Sequence, residues 1–162
     1  RINGVWNWAD ADNLNTDQMV AGNIIYNVHS SDAPAIMPHL FKGFDAAFAE
    51  GVQRGDIIIA GDNFGCGSSR EHPSVGLAHA GVGAIVVKSV NRIFYRAAIN
   101  QGLLLIVQRQ AVEAYRPGDA VSIDFTAGSI KIGSREFRFE PLPDALMEII
   151  EKKGLVNWMK GN

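Results

Sequence analysis

Gly61-Asp62-Asn63-Phe64-Gly65-Cys66-Gly67-Ser68-Ser69-Arg70-Glu71-His72-Pro73 follows directly on Asp56-Ile57-Ile58-Ile59-Ala60. The short, β-branched, apolar run has the composition of a strand buried on both faces. Residues 74–80, closed by Gly81, read as a helix. The joint is therefore strand–loop–helix, and Gly61, Gly65 and Gly67 let its backbone turn tightly and approach a ligand closely. Ser68 and Glu71 have capping-box spacing, which predicts Ser68 as the helix N-cap with Glu71 reaching back. That spacing puts Ser69 and Arg70 in the first turn, beside unpaired N–H groups and the positive end of the helix dipole. A guanidinium there can grip a carboxylate with two bonds while N–H groups and hydroxyls hold the remaining oxygens. The stretch reads as an anion cradle.

Competing motifs fail on particular residues. A dinucleotide fingerprint needs a small residue where Arg70 stands, and an acidic one at the end of the next strand, where Lys88 stands. The Gly-Lys-Ser/Thr of a P-loop is absent, and no Gly-x-Ser-x-Gly elbow runs through Ser68 or Ser69. The plain structural alternative is a capped helix with Arg70 in a surface ion pair. Two serines, an arginine and three glycines after a buried strand favour the cradle.

Bulk properties bound the answer. A chain of 162 residues, 47% of them hydrophobic, supports one compact domain spanning 1–162 with its own core. A net charge of -2 gives no electrostatic case for nucleic acid or an anionic membrane. No apolar run approaches the length of a membrane span, and no basic-then-apolar signal pattern opens the chain. The single cysteine, Cys66, precludes a disulfide framework and suits a reducing cytoplasm. It also falls short of the several thiolates an iron–sulfur cluster needs.

Along the chain, residues 2–8 read as a first strand and Asp10-Ala11-Asp12-Asn13 as a turn. Asn15-Thr16-Asp17-Gln18 reads as an Asx turn or an N-cap. Residues 20–45 read as a long, functional loop broken by Pro34 and Pro38. A short helix is predicted over 45–51, with Phe44, Ala47 and Phe48 on one face. Residues 84–87 form a second buried strand, Asn91 caps a helix over 92–100, and residues 103–107 form a third strand. Alternating strands and helices define an α/β chain with a parallel βαβαβ core at about 56–107, whose ligand site lies at the carboxyl ends of the strands. Beyond Pro117-Gly118-Asp119 the alternation changes to period two at 121–125, 130–132 and 137–139, an antiparallel meander. A closing helix over 143–153 and a last turn over 155–159 follow it. His72 and His79 lack a third ligand at metal spacing and read as structural. Cys66 reads as small packing, Arg92 and Arg96 as a solvated or subunit-facing edge, and Trp6, Trp8 and Trp158 as core or interface.

Gly65-Cys66-Gly67-Ser68-Ser69-Arg70-Glu71-His72 resembles the signature of the mobile, swivelling β/β/α domain of the aconitase superfamily. With Asn63-Phe64 it is similar in detail to the small subunits of the 3-isopropylmalate dehydratase family. The resemblance extends to Asn15-Thr16-Asp17-Gln18, Arg92-Ile93-Phe94-Tyr95-Arg96 and Gln101-Gly102-Leu103-Leu104. It implies that Ser68 is the catalytic base, that Ser69 and Arg70 hold a substrate carboxylate, and that Asp17 is an acid at the edge of the site. Gly65, Cys66, Gly67, Glu71 and His72 would support the loop. This chain would carry no metal, and a 4Fe-4S cluster would sit in a partner large subunit. The implied substrate is a small hydroxy-dicarboxylic acid, with 2-isopropylmalate converted to 3-isopropylmalate for leucine synthesis. Val20-Ala21-Gly22-Asn23 departs from the family's Pro, basic and aromatic residues at the segment that chooses the substrate side chain. Related dehydratases for citramalate, homoaconitate or dimethylmalate therefore stay open, as does a non-catalytic anion-binding module. A serine hydrolase is less supported, since no His and acid partner can be tied to either serine.

Overall fold

A computed structural model of the chain describes residues 1–67, 70–140, 147–148 and 159–160. Strands β1 (Val5–Trp8), β2 (Ile57–Ala60), β3 (Ala84–Val87) and β4 (Leu105–Val107) form one parallel sheet in the order β1-β2-β3-β4. The three-strand parallel core expected at 56–107 is present, and β1 extends it on the β2 side by pairing Val5 with Ile57 and Trp8 with Ala60. The chain passes from β1 to β2 through α1 (Thr16–Met19), α2 (Gly22–Asn27), α3 (Ala33–Ile36), a 3-10 turn (Met37–His39) and α4 (Ala47–Gly51). Helix α5 (His72–His79) links β2 to β3, and α6 (Arg92–Asn100) links β3 to β4.

Strand order that follows chain order decides the layering. Right-handed crossovers that all step the same way put their helices on one face of the sheet and leave the other bare. Trp6, Trp8, Ile58, Ala60, Ile85 and Val87 pack among the helical residues. The alternate positions Val5, Ile57, Ile59, Ala84 and Val86 pack against a second sheet, as the period of two requires. That sheet follows α7 (Arg109–Ala114). It contains β5 (Val121–Asp124), β6 (Ser129–Ile132), β7 (Arg135–Arg138) and β8 (Met159–Lys160), antiparallel in the order β7-β6-β5-β8. Val121, Ile123, Ile130, Ile132 and Phe137 supply its inner face. The result is a β/β/α sandwich, and both faces of the parallel strands are dry.

Several expectations need correction. The 20–45 segment carries short helices, because Pro34 and Pro38 start elements rather than end them. Asp32 caps α3 and Pro34 sits in its first turn, where a missing N–H breaks no bond. Pro38 occupies the same place in the 3-10 turn. Helix α7 was not expected: it is six residues long, with only Ala111 and Val112 buried, too little for a period to emerge. Met159 belongs to β8, which pairs Ser122 with Met159 on the free side of β5, and not to a last helical turn. Met147 and Glu148 of the expected closing helix are helical. The rest of 143–153, and Leu155 to Trp158, lie outside the described residues. Trp6 and Trp8 are core residues, packed in tilted and edge-on contacts with Phe41, Phe44 and Phe48.

Beneath β2, the buried Asp56 carboxylate accepts from Arg1 Nε and Nη2 at 2.8 Å each, from the Gln53 N–H at 2.9 Å and from Trp6 Nε1 at 3.1 Å. Burial pushes its pKa up, but these donors outweigh burial and hold it below the ordinary carboxylate value. A depressed carboxyl contributes stability that is complete above its unfolded pKa, about 3.9, and is lost as pH falls through the lower folded value. Urea unfolding of Asp56→Asn is expected to show a loss of about 1–3 kcal/mol at pH 7, and a smaller loss relative to wild type below about pH 3.

Candidate functional site

Three loops meet at the carboxyl ends of β1, β2 and β3, and they stay zipped after the strands end. On one side of the Gly-rich loop, Gly61 N–H donates to Ala11 O (3.0 Å) and Asn13 N–H to Asp62 O (2.8 Å). Gly65 N–H donates to Leu14 O (2.8 Å) and Thr16 N–H to Cys66 O (2.9 Å). On the other side, Lys88 N–H reaches Gly61 O (3.2 Å), Phe64 N–H reaches Ser89 O (3.1 Å) and Asn91 N–H reaches Phe64 O (2.9 Å). The 61–67 backbone is thus the middle strand of an irregular parallel ribbon.

Side chains brace the ribbon. Asn63 N–H donates to Ser89 Oγ (2.7 Å), and Ser89 Oγ donates to Asp62 Oδ1 (2.9 Å). Arg109 grips the same carboxylate with two bonds of 2.6 and 3.1 Å. The Arg109 guanidinium, then the Ser89 hydroxyl, hold Asp62 below the usual carboxylate range. Three glycines are sterically required here, the first being Gly61, whose Cβ would lie 2.7 Å from the Ala11 carbonyl oxygen. Gly65 has φ +80°, and a Cβ on it would lie 2.3 Å from the Phe94 ring; Gly67 has φ +113°, and its Cβ would lie 2.8 Å from Thr16 Oγ1.

The ribbon brings the two expected site segments together. Asn15 and Gln18 form a capping box: Gln18 N–H donates to Asn15 Oδ1 at 2.8 Å, and Asn15 N–H to Gln18 Oε1 at 2.9 Å. This is the N-cap reading of that segment. Thr16 is buried against Gly67, while Asp17, next along α1, is exposed. Cys66 is half-buried and Gly67 exposed. Ser68 and Ser69, the expected base and carboxylate-holding serine, lie outside the described residues. Arg70 is exposed, with its Cζ 5.7 Å from the centre of the Tyr26 ring.

The capping box expected at Ser68 and Glu71 is not what begins the helix. Helix α5 starts at His72, with Glu71 as N-cap and no side-chain cap bond, so Arg70 precedes the first turn. Pro73 in the first turn removes one N–H that a cap would serve, and Ser74 Oγ donates to Glu71 O at 3.0 Å. His72 is buried with Nε2 2.7 Å from Val28 O, whereas His79 is exposed at the far end of α5. Val28 and the Ser89–Arg109 brace carry no local pattern in the sequence, and the contact of Tyr26 with Arg70 depends on packing. Phe94 is marked in the sequence only as part of the Arg92–Arg96 stretch, and its place beneath Gly65 depends on packing.

Among the described residues, no group of three or more His, Cys, Asp or Glu side chains is placed to hold a metal ion. No described helix is long and apolar enough to cross a membrane. A groove of about 510 Å³ along α5 is lined by Ser30, Arg54, Glu71, Val75, His79 and Leu103, among others, and by none of Asp17, Gly67 and Arg70. Among the described residues the loop face thus presents an exposed carboxylate, Asp17, and an exposed cation, Arg70, near a tightly held glycine backbone, chemistry suited to an acidic ligand.

Comparison with known proteins gives the family and the fold. The family described as aconitase C-terminal domain matches residues 6–111. The 3-isopropylmalate dehydratase small subunit of Caldanaerobacter subterraneus subsp. tengcongensis is 38% identical over 151 residues, covering 92% of each chain. The methanogen homoaconitase small subunit of Methanothermobacter thermautotrophicus is 42% identical over 152 residues, covering 93% of this chain and 86% of its own. The crystal structure of 3-isopropylmalate dehydratase from Methanocaldococcus jannaschii superposes with a TM-score of 0.75 at 35% identity, over 86% of this chain and 82% of that one. With its family match running through β1, the Gly-rich loop and α6, this chain belongs to the aconitase C-terminal domain family.

Proposed function

We propose that this chain is the small, swivelling subunit of a cytoplasmic, heteromeric hydro-lyase, a single domain over 1–162 that works only with a larger partner subunit. Its reaction is the isomerisation of 2-isopropylmalate to 3-isopropylmalate by loss and re-addition of water, a step of leucine synthesis. The observation that carries this reading is the ribbon itself, which sets the Thr16-Asp17 segment against Cys66-Gly67 with Arg70 exposed beside them.

A 4Fe-4S cluster does not fit in this chain. Its one cysteine cannot supply the thiolates, and its described acids and imidazoles are not gathered for a metal. The cluster is assigned to the large subunit, where its open iron would bind the hydroxyl that leaves. This chain's own residues do the acid–base and binding work. Arg70 holds a substrate carboxylate by a two-pronged bond, with the Ser69 hydroxyl on a further oxygen. Ser68 takes the proton from the carbon beside a carboxylate. A serine hydroxyl is a weak base, so the Arg70 charge and loop N–H groups other than those of Gly61 and Gly65, which already bond Ala11 O and Leu14 O, must stabilise its alkoxide. Asp17, exposed at the same edge, is the acid of the site. Gly65, Cys66, Gly67, Glu71 and His72 hold the loop in shape.

One observation favours a second substrate within the same chemistry. The homoaconitase small subunit is 42% identical to this chain, and Val20-Ala21-Gly22-Asn23 lacks the family's usual residues before Tyr26. Homoaconitate, citramalate and dimethylmalate are therefore the substrates to run beside 2-isopropylmalate.

Arg70→Lys in the reconstituted pair is expected to lower kcat/KM by about 30- to 100-fold, since the fork is lost, while the urea midpoint of the isolated chain stays unchanged. Ser68→Ala is expected to reduce turnover about a thousandfold or more; wild-type turnover in that variant would remove Ser68 from the base role. A substrate panel on the wild-type pair should rank 2-isopropylmalate first. An isolated chain that binds a dicarboxylate tightly without a partner would instead indicate a stand-alone anion-binding module.

A further inference from the structure

Arg70 does its proposed work from an exposed position, where a long side chain samples many rotamers unless something restricts it. Tyr26 is its visible neighbour, with the ring centre 5.7 Å from Cζ. Tyr26 is itself 80% exposed, on a short helix whose opposite side packs on the core through Ile24, Ile25 and Val28. Helix α2 has six residues, its N-cap Ala21 contributes no side-chain bond, and Ile25 is its buried residue. An exposed cation–π contact is too weak to place such a helix. Ile24, Ile25 and Val28 pack the helix onto the core, and a directional contact at its end fixes how the Tyr26 side of it faces Arg70.

The residue that reaches it is His72. Its ring is only 4% exposed, at the first position of α5 and two residues after Arg70. Nε2 lies 2.7 Å from Val28 O, and Val28 is the residue that ends α2. A carbonyl oxygen only accepts, so Nε2 carries the proton and donates. The other ring nitrogen, Nδ1, is buried with no hydrogen-bond partner among the described residues. The Val28 contact is thus the polar contact that sets the ring's orientation. Val28 N–H is already bonded to Ile24 O at 2.9 Å, so its carbonyl is a free end of the α2 ladder, available to an outside donor. The contacts close a ring: Arg70 to His72 through the backbone, His72 to Val28 by a buried hydrogen bond, Val28 to Tyr26 through α2, and Tyr26 back to Arg70 through space.

We infer that His72 is a positioning residue for Arg70. By holding the end of α2 against the start of α5, it sets the Tyr26 ring over the Arg70 guanidinium and so limits where the carboxylate fork can point before substrate arrives. The kinetic consequence rests on the function proposed above; the geometry does not. Pre-organisation of this kind acts mainly on substrate binding, because it removes an ordering cost that would otherwise fall on association.

The test uses the complete chain and reads Arg70 directly. A tyrosine ring at this distance shifts the Arg70 side-chain protons upfield in NMR spectra, and Tyr26→Leu assigns that shift by abolishing it. His72→Leu, which has no donor, and His72→Asn, whose amide is too short to reach Val28 O, are both expected to lose it. His72→Gln, with an amide N–H near the place of Nε2, is expected to keep it. Two short-or-absent donors guard against one variant failing to fold. In the pair reconstituted with the large subunit, His72→Asn should raise KM about tenfold with a smaller change in kcat, and His72→Gln should recover most of that loss. Persistence of the upfield shift in a folded His72→Leu or His72→Asn chain overturns the inference, as does its loss in a folded His72→Gln chain. An inactive wild-type pair whose NMR shifts follow the expected order refutes the proposed function and leaves the positioning of Arg70 standing.

Discussion

Backbone hydrogen bonds that continue the parallel ladders past the ends of β1, β2 and β3 hold the whole functional face in place. A loop at the end of a buried strand would ordinarily be free to adopt many conformations. Here the 61–67 segment has a bonded neighbour on each side, from Gly61 N–H on Ala11 O to Thr16 N–H on Cys66 O, and from Gly61 O to Phe64 O on the β3 side. Such pairing demands close approach, which is why Cβ atoms are excluded at Gly65 and Gly67 by Phe94 and Thr16. The glycines serve the loop's own packing as much as any ligand, and the close fit leaves the exposed residues beyond them on a rigid base.

The layer order explains why that face stays open. Strands laid down in chain order send every crossover helix to one side, and the antiparallel sheet covers the other. Among the described residues neither layer caps the carboxyl ends of the strands, and Asp17 and Arg70 are exposed. A domain of this build is suited to close over a site completed by another polypeptide, which agrees with the small-subunit names carried by its relatives.

Much of this was legible from residue pattern. Buried parallel strands announce themselves as unbroken β-branched runs, so β2 and β3 were located to within a residue. Asn91 as a cap was readable because its side-chain oxygen meets the N–H groups of Ile93 and Phe94, a purely local bond. The same local rule misled at Ser68 and Glu71. The spacing matched, but Pro73 moved the helix start to His72 and left Arg70 outside the first turn. Short helices with one or two buried residues, α2 and α7 among them, left no period to read.

By itself, the sequence determined the buried parallel strands β2 and β3 with their two-faced burial, the Asn91-capped helix α6 and the period-two meander. Each of these acts over a few residues, through propensity, spacing and burial. Tertiary structure alone decided which residues meet: Asn63 with Asn13 across 50 positions, His72 with Val28 across 44, and Phe94 beneath Gly65. Those contacts depend on strand register and on close packing between layers, and neither leaves a mark in the local order of residues.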